Sequence, residues 1–175
     1  VLCFALLSGF SAFADAPGKP GVAHTWAPAL KQAVGTAYEA SGAKSPVWFT
    51  MSEGILTEVF YPHIDEAQIG DLQFLVTDGK GYFSEQKRDA KSQITLNEDG
   101  MAVQLTGAQR DGHYTFVQEV ITDPASPVVR LKTHIKFNKP GLRLFILFKP
   151  AINNTGSDNL AEATIAGLFA TRKPS

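Results

Sequence analysis

The side chains of this sequence that could do chemistry are carboxylates and imidazoles. Glu53, Glu58, Asp65, Glu66, Asp71, Asp78, Asp89, Asp111, Glu119 and Asp123 punctuate its middle, alongside His24, His63, His113 and His134. Two carboxyl groups about 6.5–9.5 Å apart, one protonated and one activating water, can hydrolyse a glycosidic bond with inversion. Spacing singles out no such pair, because most of these acids fall in turns or at strand ends, where Asp and Glu serve solvation and capping. His63-Ile64-Asp65-Glu66 has neither a zinc spacing nor the regular oxygens of a calcium loop, so no metal is expected. Asp78-Gly79-Lys80-Gly81 lacks the Gly-Lys-Ser/Thr ending of a phosphate loop, and no serine occupies a Gly-x-Ser-x-Gly elbow. Neither nucleophilic catalysis nor a cofactor is indicated.

Glu58 is the acid most worth following. It lies inside an apolar run between Thr57 and Val59, where a carboxylate is expected to face solvent or to pair with a base such as Arg88. Tyr61-Pro62-His63 follows directly and could reach a neighbouring domain. Trp26, Trp48 and Tyr82 are the aromatic groups that could serve as exposed stacking platforms.

These residues must be positioned by strands. Val47 to Phe60 holds two runs rich in β-branched and aromatic residues around Ser52-Glu53-Gly54, the pattern of a β-hairpin, and Pro62 closes it because proline donates nothing to a sheet ladder. Strands are predicted at Leu72 to Thr77, Tyr82 to Glu85, Gln93 to Leu96, Met101 to Leu105 and His113 to Ile121. Asn97-Glu98-Asp99-Gly100 is a strong turn. Val129 to Phe137 alternates cleanly, with Val129, Leu131, Thr133, Ile135 and Phe137 on one face and Arg130, Lys132, His134 and Lys136 on the other. Leu142 to Phe148 is apolar on both faces, which predicts a central strand. Asn159 to Ser175 fits a helix or a strand equally well. Short strands separated by turns at this rhythm predict an all-β, antiparallel sandwich or barrel.

Composition sets outer limits. With 175 residues, 44% of them hydrophobic and 19% charged, the chain can build one globular domain with a core. A formal net charge of -1 without a basic patch gives no reason to expect nucleic acid or an anionic membrane as partner.

The two N-terminal segments differ from the rest. Val1 to Ala14 is uncharged and apolar, ends in Ala12-Phe13-Ala14, and reads as the end of a secretory signal peptide cleaved before Asp15, its own start lying upstream. The single cysteine, Cys3, falls inside it, which argues against a disulfide scaffold and, with export, suggests a periplasmic or secreted bacterial protein. From Asp15 to Ser45 recurrent Pro and Gly predict an extended arm over the domain surface, with a turn of helix at Ala27 to Ala33 and with Trp26 and Tyr38 as pins. The sandwich proper begins at residue 46.

The run Val47-Trp48-Phe49-Thr50-Met51-Ser52-Glu53-Gly54-Ile55-Leu56-Thr57-Glu58-Val59-Phe60-Tyr61-Pro62, followed by Asp71-Leu72-Gln73-Phe74-Leu75-Val76-Thr77-Asp78-Gly79 and Arg88-Asp89, resembles the N-terminal domain of bacterial glucoamylases and glucodextranases, glycoside hydrolases of family 15. The resemblance extends from about Pro17 to about Asp158. It implies a supersandwich fold like that of galactose mutarotase, continuing for several strands beyond those present here, ahead of an (α/α)6 barrel that this chain lacks. It also implies that the catalytic glutamates lie in that barrel, so none is assigned here. On the same resemblance, α-glucan would be met through the parent enzyme, the barrel would be an intramolecular partner, and Trp48, Glu58, Tyr61 and His63 are the candidates for substrate or interdomain contact. The alternatives are a free-standing carbohydrate-binding sandwich and an aldose-epimerase-like enzyme, the latter needing a histidine and a carboxylate in one cleft.

Overall fold

The computed structural model describes residue 26 and residues 29–97 and 102–172. The expected signal segment, its cysteine and most of the turn at 97–100 lie outside the described residues. In chain order the strands are β1 (Ala33–Gly35), β2 (Trp48–Ser52), β3 (Ile55–Phe60), β4 (Ala67–Thr77), β5 (Phe83–Glu85), β6 (Ala90–Leu96), β7 (Val103–Gln109), β8 (Tyr114–Thr122), β9 (Val129–Phe137), β10 (Arg143–Pro150), β11 (Asn159–Thr164) and β12 (Gly167–Arg172). One helical turn, α1 (Gln86–Asp89), joins β5 to β6, and a 3-10 turn covers Ile152–Asn154.

Every pairing is antiparallel. One sheet has the order β1-β2-β3-β4-β10, with β5 added to β4; a second runs β6-β7-β8-β9; β11 and β12 form a separate hairpin. The expected all-β, antiparallel sandwich is therefore the fold. The β2–β3 hairpin turns through Glu53 (φ 52) and Gly54 (φ 75), two positive values in succession, the geometry whose twist matches that of the strands. Glycine is required at 54 for a second reason: a Cβ there would collide with Ser92 Oγ of the opposite sheet.

The core forms where the two sheets face each other. Phe49, Met51, Leu56, Val59, Phe74 and Val76 from one pack on Val103, Leu105, Tyr114, Phe116 and Val120 from the other. Phe74 presents its ring edge-on to Tyr114 (5.7 Å) and to Phe116 (5.0 Å), the arrangement aromatic quadrupoles favour. Along β8 the burial alternates as its sequence predicts, with Tyr114, Phe116, Gln118 and Val120 inside.

One side of the sandwich is open. The inward residues of β9, among them Val129, Leu131, Ile135 and Phe137, are only partly covered. Strand β10, predicted to be central, is instead the last strand of its sheet among the described residues, and Phe145 and Ile146 stay 47% and 52% exposed. An apolar pattern on both faces reports what the faces meet and says nothing about whether both edges are paired.

Other expectations shift at their boundaries. Strand β4 begins at Ala67 rather than Leu72, because Gly70 and Asp71 interrupt its apolar pattern without breaking the ladder. The tail forms the β11–β12 hairpin. The arm contributes β1, paired with β2 in the register Val34↔Thr50, so that Ala33 opens a strand and no helical turn covers 29–33. Trp26 and Tyr38 are 44% and 60% exposed.

Candidate functional site

The outer face of the first sheet carries the densest polar constellation. A bulge between Phe49 and Met51 sets Thr50 opposite both Thr57 and Glu58, turning these consecutive residues to one side. Thr50 Oγ1 lies 2.8 Å from Thr57 Oγ1 and donates to the Glu58 carboxylate. Glu58 is 5% exposed, and its partner is Lys31, whose Nζ stands 2.7 Å from Oε2. Burial alone would raise the Glu58 carboxyl; hydrogen bonds from Lys31 and Thr50 outweigh that and hold it below its ordinary value.

The expected solvent face or Arg88 partner for Glu58 is therefore corrected. Arg88 makes a two-point contact with Asp89, Nε to Oδ1 at 2.8 Å and a second nitrogen to Oδ2 at 2.6 Å. The bulge hides Glu58, and sequence distance hid its partner: Lys31 is 27 positions away.

Across the same face lies Asp71, paired in register with Lys149. Leu56↔Leu72 sets it beside Thr57 on the other flank. Its Oδ1 is enclosed and accepts no hydrogen bond of good geometry among the described residues. Burial drives its carboxyl up to about 6; Lys87 and Lys149 pull it down, and Glu85 pushes it up again. Glu85 in turn accepts from Gln73 Nε2 at 2.9 Å and lies 3.7 Å from Arg88.

Asp71, raised by burial, beside the Glu85 carboxyl is the nearest approach to an acid–base pair among the described residues. It sits on a sheet face among lysines, and neither carboxylate lines the apolar cavity of about 350 Å³ formed by Val47, Val59, Tyr61, Gln68, Ile69, Pro127 and Val129.

The other sequence candidates fall at one end of the β2–β3 ladder. Trp48 is half-buried opposite Phe60. Tyr61, joined to Pro62 by a cis bond, is 40% exposed and lines the cavity, and its carbonyl accepts from Gln68 Nε2 at 2.6 Å. His63 is exposed, and its carbonyl accepts from the Glu66 amide. Trp48, Tyr61 and His63 thus fall at the same end of the β2–β3 hairpin, with Tyr61 alone of the three lining the cavity, while Glu58 is buried against Lys31 and Thr50.

His63, His113 and His134 do not share a site; His24 lies outside the described residues. His113 stacks on Tyr82, ring centroids 4.2 Å apart, and sits 3.2 Å from Gln109 Oε1; His134 is exposed on the outer face of β9 opposite Val117; His63 belongs to the loop after β3. The stack also occupies a face of Tyr82 that a sugar would need. Among the described residues no group of three His, Cys, Asp or Glu side chains converges as metal ligands, and no helix is long and apolar enough to cross a membrane.

Two features add to what the sequence singles out. Asp78 Oδ1 accepts from the amides of Lys80, Gly81 and Tyr82, which depresses its carboxyl to about 2 and ties the 78–82 loop into one shape. Beside that loop, β5, β4 and β10 expose Phe83 and Phe145 on the outer face. The Asp-Gly-Lys-Gly turn was a signal for the first; nothing local signals the second, since it depends on which strands become neighbours.

Comparison with known proteins agrees with this geometry. The family model described as glucodextranase, domain N, matches residues 16–175. Over 144 residues the chain is 33% identical to a glucoamylase of Clostridium sp. (strain G0005), a match that covers 80% of this chain and 20% of that protein. Among solved structures, a bacterial glucoamylase complexed with acarbose superposes with a TM-score of 0.76 at 32% identity, over 86% of this chain and 22% of that one. The chain spans about a fifth of the length of the relatives it matches.

Proposed function

Because the chain belongs to the glucodextranase domain N family, we propose that it is the N-terminal β-sandwich of an exported glycoside hydrolase that releases glucose from the non-reducing ends of α-glucans, in polysaccharide catabolism. Its role is to buttress a catalytic (α/α)6 barrel, and the carboxylates that cleave the bond belong to that barrel. The observation that carries this reading is the match of 80% of this chain to 20% of a glucoamylase. The engagement of Glu58 with Lys31, Glu53 with Lys87 and Asp89 with Arg88 supports it, since these acids are committed to holding the sandwich together. The apolar leader at 1–14 supports export.

The test is enzymatic. The longer polypeptide carrying this domain, incubated with maltoheptaose or soluble starch, is expected to release glucose, and the 175-residue chain alone to release none. Glucose release by the chain alone would overturn the assignment of chemistry to the barrel.

A further inference from the structure

The outer face of β5, β4 and β10 is built unlike the rest of the sandwich surface. In register, Phe83 and Arg143 flank Thr77, and Glu85 and Phe145 flank Leu75, which places all six side chains on one side of the sheet. Phe83 and Phe145 are 52% and 47% exposed. An outer sheet face is expected to be polar, and contiguous aromatic and leucine surface there marks an interface.

The chemistry of the patch narrows the occupant. Arg88 lies 5.5 Å from the centre of the Phe83 ring and Arg143 5.8 Å from that of Phe145, so guanidinium groups already sit over the ring faces that a stacked sugar would need. Exposed arginine and aromatic side chains are residue types enriched at protein–protein interfaces. The backbone of β4 here is paired on both sides, so this face offers no groups for strand addition, unlike the free edge of β10. Arg143 makes no ion pair among the described residues, and a partner surface carrying a carboxylate would complete it. The Asp78-tied loop beside the patch holds it in one shape, which lowers the ordering cost of docking.

We propose that Phe83, Leu75 and Phe145, flanked by Arg88 and Arg143, form the face on which the remainder of a glucoamylase-type polypeptide docks, through an apolar surface bearing an acidic group opposite Arg143. The matched relatives hold about four-fifths of their length outside this sandwich, and a covalently attached domain needs only a modest interface because its effective concentration is high. The proposal rests on the function given above and adds the face used for support: the outer face of β5, β4 and β10, rather than the end of the hairpin that carries Trp48, Tyr61 and His63.

The test uses the full-length polypeptide. Hydroxyl-radical footprinting should label Phe83 and Phe145 several-fold more slowly than their half-exposed state here allows, with no sugar present and independently of protein concentration. The double variant Phe83→Ala/Phe145→Ala, and separately Arg143→Glu, should split one thermal transition into two, while Val117→Ala on the outer face of β8 should leave the melt unchanged. Rapid labelling of both rings, protection that appears only with maltoheptaose, protection lost on dilution, or unaltered melting of the variants would each overturn the docking face. If the wild-type polypeptide releases no glucose from α-glucan, the functional reading itself fails; if it does and the variants melt normally, only the docking face fails.

Discussion

Gln86 reaches across the sandwich to Gln118, its Nε2 donating to the Gln118 Oε1 at 2.6 Å and to the Gly54 carbonyl at 2.9 Å. Its Oε1 accepts from the Phe74 amide at 3.2 Å, so one side chain, 2% exposed, links the hairpin turn, β4 and β8. Gln118 passes the network on to Thr133 of β9.

Gln86→Ala is expected to lower stability by roughly 2–4 kcal/mol, because it strands a buried carbonyl, an amide and a carboxamide at once. Urea denaturation measures the loss. Gln86→Leu fills the space without restoring the bonds and should be nearly as damaging; full rescue by leucine would show that packing, not hydrogen bonding, matters at this position.

Lys31→Met leaves the Glu58 carboxylate enclosed with its threonine partner and no cation, a change expected to cost about 2–4 kcal/mol. The double variant Lys31→Met/Glu58→Gln should recover much of that, and a double-mutant cycle reads the coupling. The Glu58 carboxyl is held below its ordinary 4.5 in the folded state, so its contribution is present above that value and is lost as pH falls through the folded value. A Lys31→Met protein whose acid limb matches the wild type's would contradict the pairing.

Asp71 works in the opposite sense. Its folded carboxyl is pushed up from 3.8 to about 6, so the folded protein takes up a proton before the unfolded chain does, and this group makes stability rise as pH falls from above 6 towards 4. Asp71→Asn is therefore expected to stabilise the fold at pH 7 by about 1 kcal/mol, a figure discounted for partial solvent screening, and to make little difference near pH 4. Thermal melts across the acid-to-neutral range decide the matter: an Asp71→Asn variant no more stable than wild type at neutral pH would refute the enclosure of Asp71.

Gly107 of β7 stands opposite Phe116, and a Cβ there would collide with the ring and fall 2.9 Å from the Lys91 carbonyl. Gly107→Ala must push Phe116 off its edge-on contact with Phe74, and a loss of about 1–3 kcal/mol is expected in chemical denaturation. Gly107→Ala/Phe116→Leu should lose less than the sum of its single changes, because the smaller side chain removes the collision.

Local pattern carried most of the strand order. The hairpin around Glu53-Gly54, the alternation of β8 and β9, and the Asp78 turn are period-two and turn-chemistry signals contained within a few residues, and they were legible in the sequence. So was the family, through motifs in the β2–β4 segment and at Arg88-Asp89. Tertiary structure alone decided the rest. A bulge turned Thr57 and Glu58 to one side, Lys31 arrived from 27 positions away, Asp71 was enclosed between strands distant in sequence, and β10 came to lie at an edge. The reason is physical: alternation along a strand states which face each side chain takes, whereas burial, ion partners and edges depend on which strands become neighbours, and that is settled only by how the two sheets pack.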